Sequence, residues 1–160
     1  MQAQDPRWTV AAVTAVRECF EECGLLYARS AVGESLTADV VAPWQDWREP
    51  LNRAERSMMD FMGATGFSWA SDAMVPLARW ITPKGMRKRF DTYFFLARAR
   101  HGQTVSVDGT ETVEHQWFLP SEALAQGRTM KLLTPTRDTL TMLAQCATVD
   151  EALAKAPLHP

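Results

Sequence analysis

The sequence is poor in cysteine, and what it has forms no framework. Cys19, Cys23 and Cys146 are an odd count without disulfide-scaffold spacing. That speaks against a small disulfide-stapled protein and for reduced thiols in the cytoplasm. Cys19 and Cys23 have no histidine close in sequence, and a zinc centre wants four ligands at recognisable spacing, so none is expected. No apolar run approaches the roughly 20 residues needed to cross a bilayer. The opening "MQAQDPRWTV" lacks the basic and apolar regions of a signal peptide, and the closing "APLHP" is no lipidation signal. Charge of neither sign dominates: 17 basic against 19 acidic residues leave −2. Such a balance offers no global attraction to nucleic acid or an anionic membrane, so neither is expected as a partner. Internal repeats and low-complexity segments are also missing.

What is present suits a globular domain. The chain has 160 residues and is 46% hydrophobic, which predicts one domain over 1–160 with a sizeable core. Helix signals begin near Thr9 after the Asp5-Pro6 turn, and Gly24 fits a helix end. "LLYAR" reads as a short strand. Pro43 and Pro50 bracket a tryptophan-bearing loop, and a second helix is expected over 51–62, ending at Gly63. Strands are expected over 74–82 and 89–99, and, after a turn at Asp108-Gly109, over 112–118. Pro120 and Ser121 open a short helix. A helix over 133–144 has Thr134 as its expected N-cap and Pro135 at its first position. Thr148 and Glu151 have capping-box spacing before a last one. The order helix, helix, strands, helices predicts a sheet covered on both faces by helices.

One stretch concentrates charge. "VRECFEECGLL" carries Arg17, Glu18, Glu21, Glu22 and Gly24. On a helix, Glu22 falls about 40° and Glu21 about 300° from Glu18, with Val13, Val16, Phe20 and Cys23 at about 180°. The carboxylates then project together, away from the packing face. Like charges at this spacing repel by a few tenths of a kcal/mol per pair. Two explanations stand: a solvated helix face, or a cage whose repulsion a hard divalent cation removes. Arg17, one turn before Glu21, can orient it by an ion pair. Such a pattern arises by chance about once in 10⁴ chains of this length.

The pattern R-E-x-x-E-E-x-G followed by Leu25 resembles the second half of the Nudix box. "ARWITP", "RFDTYFFLA" and "LLTPTRDTL" add a resemblance to the Nudix branch that includes peroxisomal coenzyme A diphosphatases and their bacterial relatives. The resemblance runs from about Asp5 to Leu143 and implies an α+β fold, a Nudix-like α/β/α sandwich with a mixed sheet. The box's leading glycine and first glutamate fall on Ala3 and Thr9 here. The strands that precede the box in the family are not in the sequence, so a domain missing its N-terminal part is expected.

The implied activity is hydrolysis of a nucleoside diphosphate linked to another moiety, with coenzyme A or acyl-coenzyme A as substrate and Mg²⁺ or Mn²⁺ as cofactor. By the same resemblance Glu18 and Glu22 are metal ligands, Glu21 assists as ligand or catalytic group, and Arg17 holds the carboxylates in register. A further carboxylate is expected from the late strand, Glu114 in preference to Glu111. The basic cluster "KGMRKR" offers Arg87 and Arg89 for substrate phosphates, with Arg79 nearby in the chain, against the alternative of a solvated loop. Trp80, Phe90, Tyr93, Phe94 and Trp117 are expected in the core. Asp91 needs a cationic partner, Arg79 or Arg89. Two alternatives accompany the enzyme: a Nudix-like module that binds nucleotide or protein without turnover, and a homodimer joined through exposed sheet edges.

Overall fold

Asp5 starts the first helix. Its carboxylate accepts from the Arg7 backbone N–H at 3.0 Å, and Pro6 occupies the first turn, where a missing N–H costs nothing. The structure is a computed structural model that describes residues 5–100, 102–127, 129 and 131–156; Ala3 lies outside these. Helix α1 spans Pro6–Cys23 and ends where Gly24 turns left-handed at φ 72°. Two compact units follow from the chain's course: the described residues of 1–74 with 97–115, and those of 75–96 with 116–160.

In the first unit, α1 buries Val16 and Phe20 of the predicted apolar face together with Ala12, while Val13 and Cys23 of that face are half-buried. A two-residue strand, β1 (Ala28–Arg29), pairs antiparallel with β2 (Ser68–Trp69). β1 falls short of the expected five residues because a side chain takes its neighbour's place. The Gln103 amide accepts from Leu26 N–H at 2.9 Å and donates to Leu26 O at 3.3 Å, as a facing strand would. The tryptophan segment, expected as a loop, is helical: α2 (Ala38–Val41), a 3₁₀ turn (Ala42–Trp47) and α3 (Arg48–Asn52) run on from one another.

The helix expected over 51–62 is broken. α3 stops at Asn52, and Ser57 restarts the chain as α4 (Met58–Thr65). The Ser57 hydroxyl accepts from Asp60 N–H while the Asp60 carboxylate accepts from Ser57 N–H, a reciprocal cap. That signal, Ser-x-x-Asp, was readable, and it outweighs the run of helix formers around it. Gly66, not Gly63, ends the helix.

The core of this unit joins aliphatic and methionine side chains such as Leu26, Val41 and Met62 to an aromatic cluster. Phe61 is fully buried, with ring centroids 5.2 Å from Phe20, 5.5 Å from Trp47 and 6.1 Å from Trp44. Each such tilted pair adds about 0.5–1.5 kcal/mol beyond area burial.

The second unit is built on an antiparallel pair, β3 (Val75–Ile81) and β4 (Asp91–Leu96), in register Arg79↔Tyr93 with an irregularity between Pro76 and Ala78. The helices are α5 (Pro120–Ala125), α6 (Thr134–Leu143) and α7 (Val149–Lys155). Leu133, not Thr134, is the N-cap of α6, which shifts Pro135 one position inward. Thr148 caps α7 by accepting from Glu151 N–H, but the Glu151 carboxylate reaches back to Ala147 N–H, so the box closes one residue early.

Among the described residues the strands form two short antiparallel ladders. The strand expected over 112–118 does not form. The turn expected at Asp108-Gly109 does form, the Asp108 carboxylate accepting from the backbone of Glu111 and Thr112 and from the Thr110 hydroxyl. Trp117 is then 70% exposed and Phe90 63%, so neither is core; Trp80, Tyr93 and Phe94 are half-buried. Among the described residues no helix is long and apolar enough to cross a membrane.

The aromatic core sets the stability of the first unit. Phe61→Ala is expected to cost about 3–5 kcal/mol, through lost transfer energy and an unfilled cavity. Urea unfolding monitored by tryptophan fluorescence measures it.

Candidate functional site

The last turn of α1 carries the charged motif, and its three carboxylates have different surroundings. Arg17 sits between two of them: one guanidinium nitrogen is 3.3 Å from a Glu18 oxygen and the other 3.3 Å from a Glu21 oxygen. Glu22 Oε2 accepts from the Thr112 hydroxyl at 3.1 Å. Glu21 is only 6% exposed. The helical wheel put all three away from the packed side, so its burial corrects that expectation. The reason is tertiary: residues from 45 to 53 and from 107 to 110 wall a cavity of about 590 Å³ that Glu21 also lines.

The backbone of the same turn is capped from outside. A helix end leaves its last carbonyls without intrahelical donors. Here Arg48 Nε donates to Glu21 O at 3.1 Å, Asp108 N–H to Glu22 O at 3.1 Å and Ser106 N–H to Cys23 O at 3.0 Å. Gln45 Nε2 donates to Gly24 O at 3.1 Å. Gly24 has no room for a side chain: a Cβ there would stand 2.8 Å from Ser106 Oγ and 3.0 Å from Gln45 Oε1, on a backbone that already disfavours one.

Electrostatics follow from this crowding. Burial pushes the Glu21 carboxyl above the usual glutamate range. Arg17 opposes the shift, while the charges of Glu18, Glu22 and Glu111 add to it. Asp108 is held well below its usual range, first by the Thr110 hydroxyl and then by the Thr112 N–H. Burial, reinforced by Cys23, Glu22 and Glu18, pushes the Cys19 thiol up to about 11, so it is protonated at neutral pH. The side chains beside Glu21 on its turn, Glu18 and Glu22, offer hard carboxylate oxygen, the donor type that divalent cations take. As placed, no group of three His, Cys, Asp or Glu side chains among the described residues converges as a metal cluster.

The other expected residues are distributed differently. Glu111 stands on the Asp108 turn, and its charge reaches Glu21. Glu114 is exposed beyond that turn. Arg79 makes a two-pronged ion pair with Asp91, at 2.7 and 2.6 Å, and lies 5.1 Å over the Tyr93 ring, which answers the need of Asp91 for a partner. Arg87 and Arg89 are exposed on the β3–β4 loop, where Arg89 Nε donates to Thr82 O. Arg48, Ser106 and Thr112 were not singled out in the sequence, and no local spacing marks them.

The profile of the family described as NUDT19 Nudix domain matches residues 6–137. The chain belongs to the Nudix family. Its similarity to human acyl-coenzyme A diphosphatase NUDT19 is 33% identity over 123 residues, 69% of this chain and 32% of that protein. The protein of the same name from Xenopus laevis is 29% identical over 141 residues, 77% of this chain and 36% of the relative. The chain therefore spans about a third of the length of these relatives. The crystal structure of a NUDIX hydrolase from Alicyclobacillus acidocaldarius superposes with a TM-score of 0.81 at 25% identity, covering 100% of this chain and 72% of that one. The α+β class expected from the motifs agrees with this Nudix neighbour.

The buried Glu21 makes metal-free stability pH-dependent. Its carboxyl holds a proton to higher pH in the folded state than in the unfolded chain. Stability therefore falls as pH rises from the ordinary glutamate value through the raised one. Glu21→Gln is expected to flatten that decline and to be the more stable protein at neutral pH. Urea titrations in chelator, at mildly acidic and mildly alkaline pH, check it.

Proposed function

We propose that the chain is one Nudix domain that hydrolyses the diphosphate bond of coenzyme A or an acyl-coenzyme A, with Mg²⁺ or Mn²⁺ as cofactor. The observation that carries this is the Arg17–Glu18–Glu21–Glu22 turn, packed against the segment 106–112 within a chain matched by the family over residues 6–137. The names of the human and Xenopus relatives support the substrate class. The chemistry a divalent ion supplies at such a site is neutralisation of phosphate oxygens and acidification of a bound water.

Each side chain then has a task. Glu18 and Glu22 are the proposed ligands: Glu18 is half-exposed beside Arg17, and Glu22 is oriented by Thr112. Glu21 is the proposed assisting group. Arg17 holds Glu18 and Glu21 in register. For the carboxylate outside the helix, Glu114 and Glu111 are both candidates, Glu111 lying on the Asp108 turn next to Thr112. Arg87 and Arg89 are proposed to contact substrate phosphates. Arg79, committed to Asp91 through two bonds, supports the strand pair. In the reaction, water attacks one phosphorus and the bridging P–O bond breaks, giving two phosphate monoesters. Positioning and charge neutralisation supply most of the acceleration.

The test is hydrolysis of coenzyme A and acyl-coenzyme A with and without Mn²⁺. Activity that appears with the ion and disappears with chelator is expected. Glu22→Gln is expected to lower kcat by about a hundredfold or more, since losing even a supporting residue around a metal typically costs about 10–100-fold. Nucleotide binding without turnover in the unaltered protein would favour the non-catalytic module instead.

A further inference from the structure

We propose that Thr112 and Arg48 are positioning residues for the carboxylate-bearing turn of α1: Thr112 sets the orientation of Glu22, and Arg48 fixes the backbone from which Glu21 and Glu22 project. This rests on the proposed metal-dependent hydrolysis and adds to it two residues that lie outside the glutamate motif.

The case for Thr112 begins with how firmly it is held. Its N–H donates to Asp108 Oδ1 at 2.8 Å, and its carbonyl accepts from Gly109 N–H at 3.0 Å. The turn that carries it is closed further by the Glu111 N–H and the Thr110 hydroxyl, both donating to the Asp108 carboxylate. From this held backbone the Thr112 hydroxyl donates to Glu22 Oε2 at 3.1 Å. One donated bond leaves Glu22 its other oxygen and a lone pair on Oε2. Supporting hydrogen bonds of this kind are the usual means by which a ligating carboxylate is oriented.

Arg48 works on the main chain. Nε donates to Glu21 O at 3.1 Å, Nη1 to Ser106 Oγ at 2.6 Å and Nη2 to Ser106 O at 2.7 Å. All three guanidinium nitrogens are bonded to protein acceptors, which makes the side chain a strut between α1 and the segment 106–112. That segment is also tied to the helix through Ser106 N–H to Cys23 O and Asp108 N–H to Glu22 O. Arg48 thus governs the distance between the helix and the turn that presents Thr112. Lysine offers donors from a single nitrogen and cannot span the same acceptors.

The experiment is calorimetric titration of Mn²⁺ into the unaltered protein and into Thr112→Val, Thr112→Ser and Arg48→Lys, with metal-free melting and coenzyme A hydrolysis measured on each. Thr112→Val keeps the branched shape and removes the hydroxyl. It is expected to weaken Mn²⁺ binding by about 10–100-fold, with metal-free Tm near that of the parent. Thr112→Ser restores the hydroxyl and most of the affinity, a rescue that a packing role would not produce. Arg48→Lys is expected to weaken Mn²⁺ binding as well, and unchanged Mn²⁺ affinity in that variant overturns the positioning role of Arg48. Unchanged Mn²⁺ affinity in Thr112→Val, in a parent that binds Mn²⁺ and turns over, overturns the orienting role alone. Thr112→Ser as weak as Thr112→Val does the same. A parent that takes up no Mn²⁺ and hydrolyses nothing overturns the metal-dependent reading and this inference together.

Discussion

The first unit depends on how the end of α1 is closed. The C-terminal turn of a helix carries the negative end of its dipole, and this one adds Glu18, Glu21 and Glu22. Left in water, such a turn would fray. It is instead held by donors from two segments of the chain: Gln45 and Arg48 from the tryptophan-bearing region, and the backbones of Ser106 and Asp108. Arg48 brings a positive charge to the end of the helix as well as a hydrogen bond. Gly24 permits the approach, since both its φ and its neighbours exclude a side chain.

Satisfying the backbone leaves the side-chain charge in place. Arg17 offsets part of it, yet Glu21 remains buried with its pKa raised. A sequence selected for stability alone would not set a carboxylate there, beside Glu18 and Glu22 and within reach of the Glu111 charge. Local departures of this kind belong at functional sites, where the surrounding packing holds an arrangement the helix by itself disfavours. The aromatic cluster around Phe61 is part of that surrounding packing, because Phe20 of α1 is one of its members.

Much of the frame was legible in the sequence. The α1 stripe of Val16 and Phe20, the helix end at Gly24 and the paired strands around Arg79 and Tyr93 all follow from local rules of periodicity and turn chemistry. The need of Asp91 for a cation followed from the cost of an acid on an apolar strand, with Arg79 and Arg89 both open, and the fold supplies Arg79. Legibility failed where a local signal was outweighed or passed over. Ser57 and Asp60 cut one expected helix into two. The Asp108 carboxylate took the Thr112 N–H, the first that a strand over 112–118 would have offered. Gln103 took a strand's place beside Leu26.

By itself the sequence determined the α+β class, the helix that bears the glutamates and its kinship to the Nudix family, because these rest on spacing within a few residues or on a motif in order. Only the tertiary structure decided that Glu21 is buried, that Thr112 bonds Glu22, and that Arg48 spans from Glu21 to Ser106. Thr112 lies 90 residues from Glu22, and Arg48 lies 58 from Ser106. No helical or strand period links positions so far apart, and their meeting is a consequence of which surfaces the chain must bury.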